Sequence, residues 1–201
     1  MTKLQTPEGY ELRVLLPEFQ IEQRADEPPR IVGHAAVFNA WSEDLGGFRE
    51  QIAPGAFRES IKRDDVRALF NHSADFVLGR NLSGTLRLKE DKNGLAVEID
   101  PPDTGFARDL LVSMARGDVN QMSFGFVTEK DEWDYADQKN IKRTLKQVRL
   151  FDVSVVTYPA YPQTDAAVRA LRALTAADED AVKALAAVRN AHRRRALSLN
   201  F

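Results

Sequence analysis

The stretch that decides the fold is VRLFDVSVV, residues 148–156. It is apolar at six of its nine positions and rich in valine, which favours an extended backbone. An apolar run that hardly alternates is typical of a strand buried on both faces of a sheet. Asp152 is the exception, because a carboxylate inside such a strand is expensive to bury unless it has a partner.

The sequence on either side of this strand also predicts mainly β structure. Asp91-Lys92-Asn93-Gly94 lies between two alternating segments and predicts a hairpin turn. One alternating stretch lies within residues 10–21 of the polar N-terminal segment. The remaining predicted strands are Ile31–Phe38, Val66–Phe70, Thr85–Leu88, Leu95–Ile99 and Ser123–Val127.

Two helices have recognisable start signals. Pro54 suits the first turn of a helix over 55–62. Thr104 can cap a helix over 105–116, and Gly117 suits the left-handed residue that ends it. The predicted fold class is therefore mainly β (α+β), with an antiparallel, barrel-like β core and peripheral helices.

Composition divides the chain into three zones. Residues 1–30 form a polar N-terminal segment with one strand, and residues 31–162 hold the β domain. Residues 163–201 lack Gly and Pro and predict a basic helical tail, with seven Lys/Arg against three Asp/Glu from residue 166 onward. This tail is either a packed terminal helix or a docking segment for an acidic partner.

Composition also excludes several classes of protein. The 201 residues contain no Cys, which removes disulfides, thiol nucleophiles and Cys-based metal sites. A net charge of −2 argues against nucleic-acid binding driven by the overall charge of the protein. No apolar run approaches the roughly 18 residues of a membrane span, and the N-terminus lacks a signal-peptide core, so we expect a cytoplasmic protein. Phosphate-loop, dinucleotide and metal-ligand spacings are absent, so neither a cofactor nor a metal is expected.

Candidate catalytic residues are few. Of the three histidines, His192 lies in a basic stretch and His34 inside a predicted strand, whereas His72 follows a strand end, where a rigid element can position it. Ser123 opens a glycine-containing strand and is the leading serine, although the pattern alone fits an ordinary strand residue better. A Ser–His pair needs a group that orients the imidazole. Asp152 is the leading choice for that group.

The residues that could replace Asp152 in that role are Glu50, Asp75 and His34.

Several ordered segments together resemble one known family. They are Gly33–Asn39, Glu50–Phe57, Ala68–His72 with Leu78–Arg80, Met122–Phe126 and Val153–Ala160. At these segments, over about residues 30–162, the chain strongly resembles the prohead proteases of tailed bacteriophages and related gene-transfer agents. These serine proteases are distantly similar to herpesvirus assemblin.

The resemblance implies a function and a set of residue roles. Ser123 would be the nucleophile, His72 the base and Asp152 the third member, at a position where assemblin relatives use a second histidine. Oxyanion-hole donors would lie around Tyr158–Tyr161. The implied function is a serine endopeptidase that trims the major capsid protein or its scaffolding segment, and itself, inside the assembling prohead in the host cytoplasm. Assemblin relatives also imply a possible homodimer, and neither nucleic acid nor a membrane is an expected partner.

Two other functions stay open at this point. One is a catalytically inactive capsid assembly or scaffold factor that retains the protease fold. The other is a general esterase or peptidase unrelated to capsids, which would act on small acyl substrates without any dependence on assembly.

Overall fold

The computed structural model describes residues 7–15, 19–23, 29–137 and 140–158. In this part of the chain the strands are β1 (Tyr10–Leu15), β2 (Phe19–Glu22), β3 (Arg30–Val37), β4 (Phe48–Ile52), β5 (Arg67–Phe70), β6 (Ser73–Arg80), β7 (Leu86–Glu90), β8 (Gly94–Ile99), β9 (Gln121–Asp134) and β10 (Ile141–Val156). The helices are α1 (Ser60–Arg63) and α2 (Gly105–Ala115), and a short 3₁₀ turn spans Asn81–Ser83.

The strands form two sheets that enclose the main apolar core. The first sheet has the order β1-β9-β10-β5-β6, with β4 also paired to β10, and the second has the order β2-β3-β8-β7. Side chains from both sheets meet in the core, among them Ile31, Val97, Phe124 and Val153. Strands make up most of the secondary structure, which confirms the predicted mainly β fold, and they curl into a half barrel.

Strand β10 organises the first sheet. It pairs antiparallel with β9 along one edge. Along the other edge it pairs in parallel with β4 through Ile141–Leu145 and with β5 through Asp152–Val155. The sheet is therefore mixed rather than wholly antiparallel, because two separate strands enter it beside β10 through crossovers, which sequence alternation does not reveal.

The C-terminal part of β10 is buried on both faces, as its sequence predicts. All five residues from Asp152 to Val156 are at most 4% exposed. Since successive side chains point to opposite faces of a sheet, this burial requires cover on both sides. Asp152 and Ser154 share one face of this segment, and Val153 and Val155 share the other.

The prediction for α2 is confirmed. The Thr104 hydroxyl accepts a hydrogen bond from the Ala107 N–H at 3.3 Å, as an N-cap does. Gly117 follows the helix with φ of 83°. The hairpin between β7 and β8 is also confirmed, and there the Asp91 carboxylate accepts from the Gly94 N–H at 2.9 Å.

The predicted helix over 55–62 is wrong over most of its length. Residues 54–59 form turns, and only Ser60–Arg63 are helical. Gly55 has φ of 93°, a left-handed conformation that interrupts a right-handed helix. The Phe57 N–H donates to the Glu90 carboxylate at 2.9 Å instead of starting a helical ladder.

The N-terminal segment has two strands where the sequence predicts one. Strand β1 joins the edge of the first sheet beside β9, and β2 joins the second sheet beside β3. The predicted helical tail over 163–201 lies outside the described residues.

Candidate active site

His72 lies in the tight connection between β5 and β6. Asn71 and His72 have φ of 52° and 55°, a left-handed conformation that costs energy for residues with a side chain. The connection is tied to the end of β10, because the Asn71 N–H donates to the Val155 carbonyl and the Thr157 N–H donates to the Asn71 side chain, both at 2.9 Å. The imidazole is thereby directed back over the sheet.

Ser123 lies near the start of β9, paired in register with Ser154 of β10. Its Oγ is 2.7 Å from Nε2 of His72. The same oxygen lies 2.9 Å from the Arg13 carbonyl of β1, so the single hydroxyl proton has two acceptors within reach. Ser123 has no exposed surface, whereas the His72 side chain is 14% exposed.

Asp152 completes a continuous chain of hydrogen bonds with these two residues. Its Oδ1 lies 2.6 Å from Nδ1 of His72, across 80 positions of sequence. Ser154 donates its hydroxyl to the same Oδ1 at 2.6 Å, and Tyr10 of β1 donates to Oδ2 at 2.6 Å. The structure therefore brings together all three predicted site residues.

The surroundings keep Asp152 ionised. Burial alone would raise the pKa of its carboxyl. The hydrogen bond and charge of His72, helped by the hydroxyls of Ser154 and Tyr10, outweigh burial and hold that pKa below its usual value. Burial and the nearby carboxylate raise the pKa of Tyr10, so its hydroxyl stays neutral and can donate. A charged carboxylate behind an imidazole suits a base that must take up a proton.

The residues that could have replaced Asp152 lie elsewhere. His34 is bonded to Asp91 at 2.8 Å, and Glu50 is buried among arginines. Asp75 is exposed on β6. His192 lies outside the described residues.

Comparisons with known proteins identify the family of this chain. The model of the caudovirus prohead serine protease family matches residues 18–179. The chain belongs to this family. A relative in Enterobacteria phage HK97, a prohead protease, is 33% identical over an alignment of 136 residues that covers 65% of this chain and 56% of that protein. The chain thus spans little more than half the length of that relative. No solved structure matches it.

The region matched by the prohead protease family includes His72, Ser123 and Asp152 but begins after β1. Tyr10 is therefore a contact of the site that the sequence reasoning missed. Its alternating stretch predicts a strand, but nothing in the pattern indicates that a tyrosine hydroxyl reaches a residue 142 positions away. Ser154 was also missed, although its place two residues after Asp152 puts both side chains on the same face of β10.

A buried ion-pair cluster lies on the other face of β1. Arg13 contacts Glu50 at 2.7 Å and Glu11 at 2.6 Å. Arg143 of β10 contacts Glu11 at 2.9 Å, Glu50 at 3.0 Å and Asp131 at 2.7 Å. Burial would raise the pKa of Glu11, but the two guanidinium groups hold it below its usual value. These ion pairs fasten β1 to β4 and β10.

Most of the predicted oxyanion-hole segment, Tyr158–Tyr161, lies outside the described residues. Tyr158 is 75% exposed, and residues 159–161 lie outside the described part of the chain.

Within the described ranges, no group of three or more His, Asp or Glu side chains has the arrangement of a metal site. The helices in those ranges are too short and too polar to cross a membrane.

Proposed function

We propose that the chain is a serine endopeptidase of capsid maturation, with Ser123 as nucleophile, His72 as general base and Asp152 as the group that orients the imidazole. The observation that carries this proposal is the unbroken series of hydrogen bonds from Ser123 Oγ through His72 to Asp152, at 2.7 and 2.6 Å. Membership of the prohead serine protease family supports the same reaction.

Acyl transfer follows from these contacts in order. With the Nδ1 proton directed at Asp152, Nε2 of His72 carries a free lone pair and accepts the Ser123 proton as Oγ attacks the scissile carbonyl. The imidazolium then gives that proton to the leaving amine. Water, activated by the same nitrogen, hydrolyses the acyl-enzyme and releases Ser123.

The tetrahedral intermediate needs donors for its oxyanion. Such donors are worth about 3–4 kcal/mol each in serine proteases. We propose that they are backbone N–H groups around Tyr158–Tyr161, which follow directly on the strand that carries Asp152.

Access to the nucleophile is part of the proposal. Ser123 has no exposed surface, and its hydroxyl is also within reach of the Arg13 carbonyl. A peptide substrate can reach Oγ only after a local opening around β1 and His72.

The proposed substrate is the major capsid protein or its scaffolding segment, processed inside the assembling prohead, together with the protease itself. Confinement in a shell raises the effective concentration of enzyme and substrate, so a weakly binding protease can complete the processing. We assign the protease domain to residues 31–162, with β1 and β2 of the N-terminal segment packed onto its two sheets.

The proposal also includes an assemblin-like core, a homodimer and a helical segment over 163–201. The curled half barrel supports an assemblin-like core, and a homodimer is the corresponding assembly, measurable by sedimentation equilibrium. The basic segment 163–201 would be helical and would either dock into the nascent shell or be removed by self-cleavage. A chain truncated after Asp165 that enters proheads normally would eliminate docking.

The test is co-expression with the cognate capsid protein, followed by gel analysis of its processing. We expect wild type to trim the capsid protein and Ser123→Ala and His72→Ala to leave it at full length. Ser113→Ala is the matched control, because Ser113 is half-buried on α2 and donates to the Asp109 carbonyl of the preceding turn at 3.2 Å. It should process like wild type.

Three outcomes would contradict the proposal. Equal trimming in all four proteins would show that another protease does the processing. Normal capsid maturation with Ser123→Ala would favour an inactive assembly factor, and hydrolysis of small esters without capsid processing would favour a general esterase.

A further inference from the structure

The hydroxyl of Tyr10 lies against the carboxylate that supports His72. It donates to Oδ2 of Asp152 at 2.6 Å, whereas His72 and Ser154 both approach Oδ1. The two oxygens are thus held from different directions, which fixes the plane of the carboxylate. A carboxylate held in one plane keeps its acceptor aimed at Nδ1 of the imidazole.

Tyr10 is itself held by three local features. Its N–H closes a turn on the Pro7 carbonyl at 3.1 Å, and Gly9 in that turn has φ of 76°. Its backbone pairs with Val127 of β9. Its ring packs edge-on against Phe151, with centroids 5.9 Å apart. The hydroxyl therefore arrives at Asp152 from a fixed strand.

Gly125 provides the space for this contact. It lies opposite Asp152 in the β9–β10 register. A Cβ at this position would come within 2.0 Å of the Tyr10 hydroxyl oxygen and 2.4 Å of Oδ2 of Asp152. Any side chain larger than hydrogen at position 125 would displace the tyrosine–carboxylate hydrogen bond.

We propose that Tyr10 is a positioning residue of the protease, which acts through Asp152 on the orientation and basicity of His72. This inference rests on the proposed function, and it adds to the site a residue that lies before the region matched by the family. The site is then incomplete without the N-terminal strand.

The direct test is Tyr10→Phe, which keeps the ring against Phe151 and removes only the hydroxyl. A hydrogen bond to a charged group sets the expected loss at about 10- to 100-fold in kcat, with KM within about twofold of wild type. The acid limb of the pH–rate profile should move to higher pH, because a carboxylate without this donor attracts the imidazolium proton more strongly. Loss of folded protein alone would lower kcat without moving the limb.

The matched control is Tyr135→Phe. Tyr135 follows the far end of β9, where its ring stacks on Trp133 at 5.9 Å. It should retain the wild-type rate and pH profile. A second readout that needs no turnover is the NMR resonance of the His72 Nδ1 proton, which we expect to shift in Tyr10→Phe and not in Tyr135→Phe.

Gly125→Ala gives an independent approach to the same bond. It should lose at least as much activity as Tyr10→Phe, because its Cβ meets Oδ2 of Asp152 as well as the Tyr10 hydroxyl. The double variant should lose far less than the product of the two losses, since both changes remove the hydrogen bond from Tyr10 to Asp152. Circular dichroism of each variant establishes that the fold is intact.

The outcomes separate the two proposals. Wild-type kcat, pH profile and Nδ1 resonance in Tyr10→Phe, with Ser123→Ala inactive, would overturn the role of Tyr10 alone. Fully multiplicative losses in the double variant would also overturn it. Undiminished cleavage by Ser123→Ala would instead overturn the proposed function and the positioning role of Tyr10 with it.

Discussion

Replacing Asp152 by Asn is the sharpest test of the proposed catalytic chain. The amide has the size of the carboxylate, so the buried pocket is kept while the charge is removed. Tyr10 and Ser154 can both rotate their hydroxyls to suit an amide, but the Nδ1 proton of His72 cannot turn away. The fold should therefore survive, with the deficit concentrated on the imidazole.

The size of that deficit follows from the geometry. With Oδ1 2.6 Å from Nδ1, the carboxylate and imidazolium charges are centred roughly 4 Å apart. At an effective dielectric constant of about 20 this attraction is about 4 kcal/mol, or roughly a thousandfold in rate. If the amide turns its NH₂ group towards Nδ1, the imidazole is forced into the tautomer that cannot accept the Ser123 proton. The combined loss in kcat should then approach 10⁴-fold.

The assay is single-turnover cleavage of purified capsid substrate, followed by gel densitometry for wild type, Asp152→Asn and Asp75→Asn. Asp75 is the matched control, since it is a carboxylate three residues from His72 that is exposed on β6. We expect its variant to cleave within about twofold of wild type. An Asp152→Asn protein that keeps a tenth of the wild-type rate, or an Asp75→Asn protein that loses as much, would refute the reasoning.

Three further predictions concern stability, each measured by urea unfolding. Arg143→Met should cost about 3–5 kcal/mol, because the buried Glu11 and Glu50 are left to share the guanidinium of Arg13. The exposed control Arg108→Met should cost less than about 1 kcal/mol, and equal costs would contradict this. At pH 7 Glu11→Gln should be less stable than wild type, and the difference in unfolding free energy should shrink below about pH 4. The pKa of Glu11 is lower in the folded chain than in the unfolded chain, so its carboxylate stabilises the fold at pH values above the unfolded pKa. This stabilisation is lost as the pH falls through the folded pKa. A constant gap between pH 7 and pH 3 would oppose that assignment. Gly94→Ala should destabilise the fold by roughly 3 kcal/mol, since its Cβ would meet the Ala36 carbonyl oxygen at 1.9 Å. Gly105→Ala has open space around its Cβ and should stabilise the fold by about 0.5 kcal/mol. The reverse order of stabilities would show that the nearby Ala36 backbone does not restrict position 94.

The sequence predicted best those elements whose determinants are local. The cap at Thr104 and the Asp91 turn depend on residues within four positions of each other, and both are present. The apolar run of β10 predicted burial on both faces for the same reason. Gly55 shows where local reasoning fails, because Pro54 allows a helix start but the burial of Phe57 and its bond to Glu90 favour a turn.

Strand β4 was missed because its charges make sense only in the folded chain. Its sequence, Phe48-Arg49-Glu50-Gln51-Ile52, looks too polar for a strand beside a core. Glu50 is nevertheless 3% exposed, since Arg13 and Arg143 neutralise it from β1 and β10. A buried charge of this kind cannot be foreseen without its partners, which lie 37 and 93 positions away.

The same limit explains why the site was predicted only in part. Asp152 stood out because an unpaired carboxylate in an apolar strand requires a partner, and His72 is that partner. Tyr10 did not stand out, because a tyrosine in a polar strand does not require a buried hydrogen-bond partner. Yet alternation along β1 directs Tyr10 towards Asp152 and directs Glu11 and Arg13 into the buried ion pairs on the opposite face. The ion pairs hold the strand in place, and the strand brings the tyrosine hydroxyl to the carboxylate and the Arg13 carbonyl to Ser123. In the proposed mechanism, the geometry of the catalytic residues therefore depends on ion pairs on the opposite face of one edge strand. These ion pairs would couple the stability of β1 to the reactivity of Ser123.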